Sequence, residues 1–172
     1  MKSIKKVLLF THEKYQKNKD ILRLNKFLKS KRIESELLIQ TSKNIQVQSS
    51  GEIINNGKMS KTSSIKKHGI IIVFGGDGLF LSASKIAYHL DIPILGINFG
   101  KIGFLVDVDK KDIIKKVFEI VKGGYVIDKR IMIDGKIIDV NEKIIKSTSL
   151  NDIVIYNYGL LKMIQAKIFI ND

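Results

Sequence analysis

Cysteine is absent from the 172-residue chain, which removes disulfides, thiolate metal sites and cysteine nucleophiles and fits a reducing compartment. Long apolar runs are absent as well. The longest, Ile70 to Phe74, is far too short to span a bilayer. The N-terminus, Met1-Lys2-Ser3-Ile4, passes from a short apolar patch into charged residues without a small-residue cleavage site, so no secretory signal is visible. No internal repeat is apparent, and no aromatic-rich RNA-recognition pattern accompanies the basic residues.

What is present is an ordinary globular composition, 44% apolar and 27% charged, at a length that builds one hydrophobic core. The formal charge of +13 is unevenly placed. Residues 1–68 hold 16 Lys and Arg against 5 Asp and Glu, a net of +11; residues 69–172 hold 14 against 12, a net of +2. The front-half lysines are spread along the segment rather than gathered in a motif. They read as a solvated surface, with no specific nucleic-acid partner and no membrane.

The hydrophobic pattern predicts a strand over Ile4–Phe10, a helix over Asp20–Ser30 capped by Asp20, and a second strand over Glu36–Ile39. Residues 40–68 are polar and read mostly as an irregular connection. Ile70–Phe74 has five bulky residues without alternation, as a central parallel strand requires. A helix is expected over Leu79–Leu90, a strand over Pro93–Ile97, and a helix over Asp109–Lys122 capped by Asp109 and ended by Gly123-Gly124. Beyond that, Tyr125–Ile133, Lys136–Val140, Asn151–Tyr156 and Met163–Ile170 read as strands, with Asp134-Gly135 as a turn. The expected fold class is α/β, an open Rossmann-like parallel sheet followed by a β-rich element, with the boundary near residues 123–124.

Three constellations carry chemistry. Gly75-Gly76-Asp77-Gly78 sits where a buried strand turns into a helix. Its glycines allow close ligand approach and positive φ, and the helix N-terminus offers N–H groups to a phosphate. Asp77 either orients, or takes the proton from, a hydroxyl attacking a phosphoryl group, or it caps the helix. Asn98-Phe99-Gly100-Lys101-Ile102-Gly103-Phe104 follows the next strand and so lies at the same sheet edge. There Lys101 could meet a phosphate and Phe104 could stack on a base or sit in the core. Asn151-Asp152 is suited to binding both hydroxyls of a ribose, or forms an ordinary junction.

In this order the segments Gly69–Gly78, Pro93–Leu105, Gly124–Met132 and Ser149–Ile155 resemble the ATP-dependent NAD kinases. The combination is more specific than GGDG, which diacylglycerol-type lipid kinases and phosphofructokinases share. The resemblance implies a cytoplasmic enzyme, a homo-oligomer at full length, that moves the γ-phosphoryl of ATP onto the adenosine-ribose 2′-hydroxyl of NAD. Mg²⁺ would arrive with ATP. By the same resemblance Asp77 is the proton acceptor, Gly78 an NAD contact, and Phe104 a neighbour of the adenosine. Asn151 and Asp152 bind the dinucleotide, and Lys162 is a basic residue near it. Gly75, Gly76, Gly78, Asn98 and Lys101 form the phosphate loops. Residues 1–123 correspond to the nucleotide-binding domain and 124–172 to the start of a β-rich NAD-binding domain. Leu79 stands where the family usually has Thr, and the family's later Gly-Asp-Gly segment has no counterpart. The chain therefore reads as the front portion of such an enzyme, the alternative being a truncated, non-catalytic nucleotide-binding fragment. An aspartate, with a reference pKa of about 3.9, is a weak base, so orientation is expected to outweigh basicity.

Overall fold

The computed structural model describes residues 3–41, 46–47, 53–55, 58–60, 68–100, 103–106, 108–138, 140–155, 163, 165 and 167–170. Its centre is a four-stranded parallel sheet made of β1 (Lys6–His12), β2 (Glu34–Gln40), β6 (Ile70–Gly75) and β7 (Ile94–Asn98) in the order β2-β1-β6-β7. Three short strands, β3 (Gln46–Val47), β4 (Ile53–Asn55) and β5 (Lys58–Ser60), form an antiparallel ribbon within the polar stretch after β2, which was expected to be mostly irregular.

Both faces of the sheet are covered, which is why β6 is apolar at every position rather than at alternate ones. Val7, Leu9, Ile70, Ile72 and Phe74 pack on one face with Ile21, Leu24 and Leu28 of α1 (Lys19–Ser30). Ile113, Val117 and Val121 of a third helix, α3 (Ile113–Val121), join them there. Leu8, Phe10, Ile71 and Val73 pack on the other face with Ala83, Ile86, Ala87 and Leu90 of α2 (Asp77–Leu90). The backbone alternates faces with period two, so one run feeds two cores. The chain then returns beside β7, where Asn98 N–H donates to the Val108 carbonyl at 2.9 Å.

Several local expectations are corrected. The cap of α1 is Asn18, whose side chain accepts from the Asp20 N–H at 2.9 Å; Asp20 is already inside the helix. Asp109 precedes a 3-10 turn at Lys110–Asp112 and makes no side-chain cap bond. Gly123, at φ 95°, ends α3, a conformation that favours glycine. Residues 124–132 and 151–155 are not strands, nor are the described residues of 163–170. The β element is instead a hairpin of β8 (Ile133–Ile138) and β9 (Ile144–Ser149), so Asp134-Gly135 lies within a strand. The reversal falls at residues 140–143, where Glu142 takes φ 61°. Gly135 is glycine for a packing reason: a Cβ there would stand 2.5 Å from the Ile153 side chain, which crosses the strand.

Candidate functional site

From β1 the chain moves outward to β2, then returns across β1 to β6, and the sheet order reverses between β1 and β6. Open α/β sheets bind ligands outside the carboxyl ends of their strands at such a switch point. Gly75-Gly76-Asp77-Gly78 stands at that end of β6, and the loop after Asn98 at that end of β7. The two are tied together, with Phe99 N–H donating to the Gly75 carbonyl at 3.0 Å.

Asp77 makes the second tie. It occupies the first position of α2, behind Gly76 at the N-cap, and its carboxylate does not cap its own helix. One oxygen accepts from the Phe104 N–H at 2.9 Å and the other from the Leu105 N–H at 3.2 Å. Each oxygen of an ionised carboxylate has a further acceptor direction, so a hydroxyl can still bond to it. Gly103 makes this arrangement possible, because a Cβ there would fall onto the Asp77 carboxylate.

The glycines of the first loop work through space rather than through backbone freedom. None of Gly75, Gly76 and Gly78 has positive φ, contrary to expectation. Gly76, at φ −112° and ψ −170°, is ordinary extended backbone. A Cβ at Gly76 or Gly78 would meet nothing within 4 Å among the described residues, which leave surface open above the helix N-terminus, where the first N–H groups lack intrahelical partners. Gly75 differs: a Cβ there would stand 2.6 Å from the Leu79 side chain, which covers it. Leu79, where the resemblance leads one to expect Thr, thus lays hydrocarbon over Gly75.

The other anticipated residues divide. Phe104 is 96% exposed, which settles against a core role. The Asn98 side chain accepts from the Gly100 N–H at 2.8 Å and shapes the second loop. Lys101 and Lys162 lie outside the described residues. Asn151 and Asp152 are exposed in the segment after β9, and the hydrogen bonds of Asp77 run to Phe104 and Leu105 rather than to them.

Sequence reasoning passed over the carboxyl end of β1 and the turn after it, the other wall of the switch point. Buried Thr11 donates from Oγ1 to the Phe74 carbonyl at 3.1 Å. The Tyr15 hydroxyl donates to the Phe99 carbonyl at 3.4 Å, and the rings of Tyr15 and Phe74 both meet Phe99 edge to face. The available signal was positional: Thr11 ends and Tyr15 follows the first parallel strand, at the edge where the glycine loops were expected.

A sheet wound both ways, with two linked glycine loops and a helix N-terminus at its switch point, defines an open, doubly wound α/β protein. Comparison with known proteins narrows the class. Residues 11–125 match the model of the ATP-NAD kinase N-terminal domain, and the chain belongs to the ATP-NAD kinase family. It is 39% identical over 103 residues to an NAD kinase of Teredinibacter turnerae, covering 60% of this chain and 35% of that protein. It is 34% identical over 120 residues to an NAD kinase of Aquifex aeolicus, covering 70% of this chain and 44% of the relative. The chain thus spans less than half the length of these curated relatives. Among solved structures, yeast NADH kinase complexed with NADH shares the fold, with a TM-score of 0.64 at 13% identity over 87% of this chain and 45% of that one. Among the described residues, no helix is long and apolar enough to cross a membrane.

Proposed function

We propose that the protein acts as an NAD kinase, transferring the γ-phosphoryl of MgATP to the 2′-hydroxyl of the adenosine ribose of NAD. The observation that carries the reading is the Asp77 carboxylate, held between two glycine loops at the sheet's switch point beside an open helix N-terminus. Membership of the ATP-NAD kinase family supplies the substrate class. In the reaction the ribose oxygen bonds to phosphorus as the bond to the ADP oxygen breaks, and the hydroxyl proton is released toward Asp77. The two N–H bonds fix where the carboxylate points, so its contribution is to orient the acceptor hydroxyl. The N-terminus of α2 and the second loop, with Asn98 and Lys101, face the phosphate charge.

Gly78 leaves room for the dinucleotide, exposed Phe104 offers a ring to the adenine, and Asn151, Asp152 and Lys162 complete the NAD contacts from the segment after residue 124. Mg²⁺ belongs to the nucleotide substrate, where it neutralises phosphate oxygens. The same reading places the enzyme in the cytoplasm and makes it a homo-oligomer. Incubating the protein with ATP, Mg²⁺ and NAD and measuring NADP tests it: product dependent on all three is expected. Calorimetric binding of NAD and ATP with no NADP formed would overturn the catalytic reading and leave a nucleotide-binding protein.

A further inference from the structure

The hairpin does not stand free of the sheet domain. It packs on the second half of α2, and between them lies a cleft of about 490 Å³. Lys85 and His89 face it from the helix, Lys136 and Lys146 from the two strands. Residue Cα positions along an α-helix advance about 1.5 Å each, so this group stands about 12–18 Å along α2 from Asp77. It is therefore separate from the glycine loops.

Positive charge exceeds negative in the cleft: among the described residues lining it, three lysines stand against one carboxylate. Among the described residues Asp134 is the one carboxylate lining it, and its oxygens accept from Tyr88 Oη at 3.1 Å and from Thr148 Oγ1 at 2.7 Å. Among the described residues, Lys85, Lys136 and Lys146 make no ion pair. The negative end of the α2 dipole accounts for His89, in the last turn, but not for Lys85 a turn earlier. Nor does it account for Lys136 and Lys146, which belong to another element. These two are direct cross-strand partners in the β8–β9 register. Like charges placed opposite each other weaken a hairpin. A two-stranded hairpin is itself marginal, so this repulsion falls on an element with little stability to spare.

We propose that this cleft is a second anion site, distinct from the nucleotide loops, that takes a small molecule carrying two linked phosphates. One phosphate lies between Lys136 and Lys146 and relieves their repulsion. The other reaches Lys85 and His89 on the helix, and the Thr148 and Ser147 region supplies neutral polar groups beside them. Binding there joins the hairpin to α2, and the inference does not rest on the kinase reading.

Amide-resolved NMR titration with inorganic pyrophosphate, and separately with ADP, tests this in the wild-type protein and in a Lys136→Gln/Lys146→Gln variant. Saturable shifts at Lys85–His89, Lys136 and Lys146–Thr148 are expected with pyrophosphate and are lost in the variant, while any shifts at Gly76–Leu79 persist. Cleft shifts with ADP as well identify a nucleotide as an acceptable source of the diphosphate; pyrophosphate alone identifies the free anion. Without ligand, the variant should melt about 1–3 °C higher, because the like-charge pair is gone. Shifts confined to Gly76–Leu79 and the second loop, no shifts at millimolar pyrophosphate, or cleft shifts that survive the double substitution would overturn the proposal.

Discussion

Gly78→Ala separates two reasons for a glycine at the start of α2. Gly78 is the second residue of a 14-residue helix, its φ is not positive, and a Cβ would meet nothing within 4 Å among the described residues. The substitution therefore introduces no clash and no backbone strain. Alanine is favoured over glycine in helices by about 0.5–1 kcal/mol, and near the first turn the lower half of that range applies. For a chain of this size that is a rise in Tm of about 1–2 °C. A ligand lying against the loop meets the added methyl directly. Thermal unfolding and calorimetric titration with NAD, run on the same preparation, are expected to show a more stable protein that binds NAD at least tenfold more weakly. A variant that is stabilised and binds NAD as tightly as wild type would refute the argument that the glycine keeps that surface open.

Other outcomes follow from the same geometry. Gly103→Ala displaces the Asp77 carboxylate and breaks its two N–H bonds; with a misplaced catalytic group worth about 10²-fold in rate, kcat for NADP formation should fall by that order while KM for NAD changes little. Phe74→Ala removes a fully buried ring packed edge to face on Phe99, and denaturant unfolding should show a loss of about 3–5 kcal/mol. Hydrogen bonds from Thr148 and Tyr88 hold the Asp134 carboxyl below its ordinary value, and the bond to Asp134 raises the Tyr88 hydroxyl above its value near 10. The Asp134 contribution is present above its unfolded pKa and lost as pH falls through the depressed folded one. The Tyr88 contribution is present below its unfolded pKa and lost as pH rises through the raised folded one. The protection of hairpin amides against exchange, taken relative to the intrinsic rate at each pH, should therefore be greatest between about pH 5 and 9 and fall on both sides, and Tyr88→Phe should remove the alkaline fall.

How much of this was legible in the sequence depends on whether one stretch of chain decides the feature. Ile70–Phe74 announces itself because burial on both faces demands an unbroken apolar run. The two glycine loops follow because parallel strands put their carboxyl ends on one edge. The bond from Asp77 to Phe104 was not legible: its partners are 27 residues apart, and the carboxylate's choice between its own helix and a neighbouring loop depends on loop geometry. The Asn18 cap was missed because Asp20 is an equally good capping type two positions later. β9 was missed for a compositional reason. Its Lys-Ser-Thr-Ser end pairs in an exposed hairpin, where no apolar alternation is required, and Asp134-Gly135 imitates a turn. The two glycine loops do share one edge, joined by the Phe99 N–H to Gly75 carbonyl bond, while Thr11 and Tyr15 beside them went unread.

The most direct test of the central claim is Asp77→Asn, measured as steady-state NADP formation alongside calorimetric NAD binding. The change keeps the side chain's size and one N–H acceptor and removes the charge. Turnover should fall by about 10²–10⁴-fold with NAD affinity within a few-fold of wild type. Turnover that survives, or binding and turnover lost in equal measure, would contradict the assignment of Asp77 to the acceptor hydroxyl.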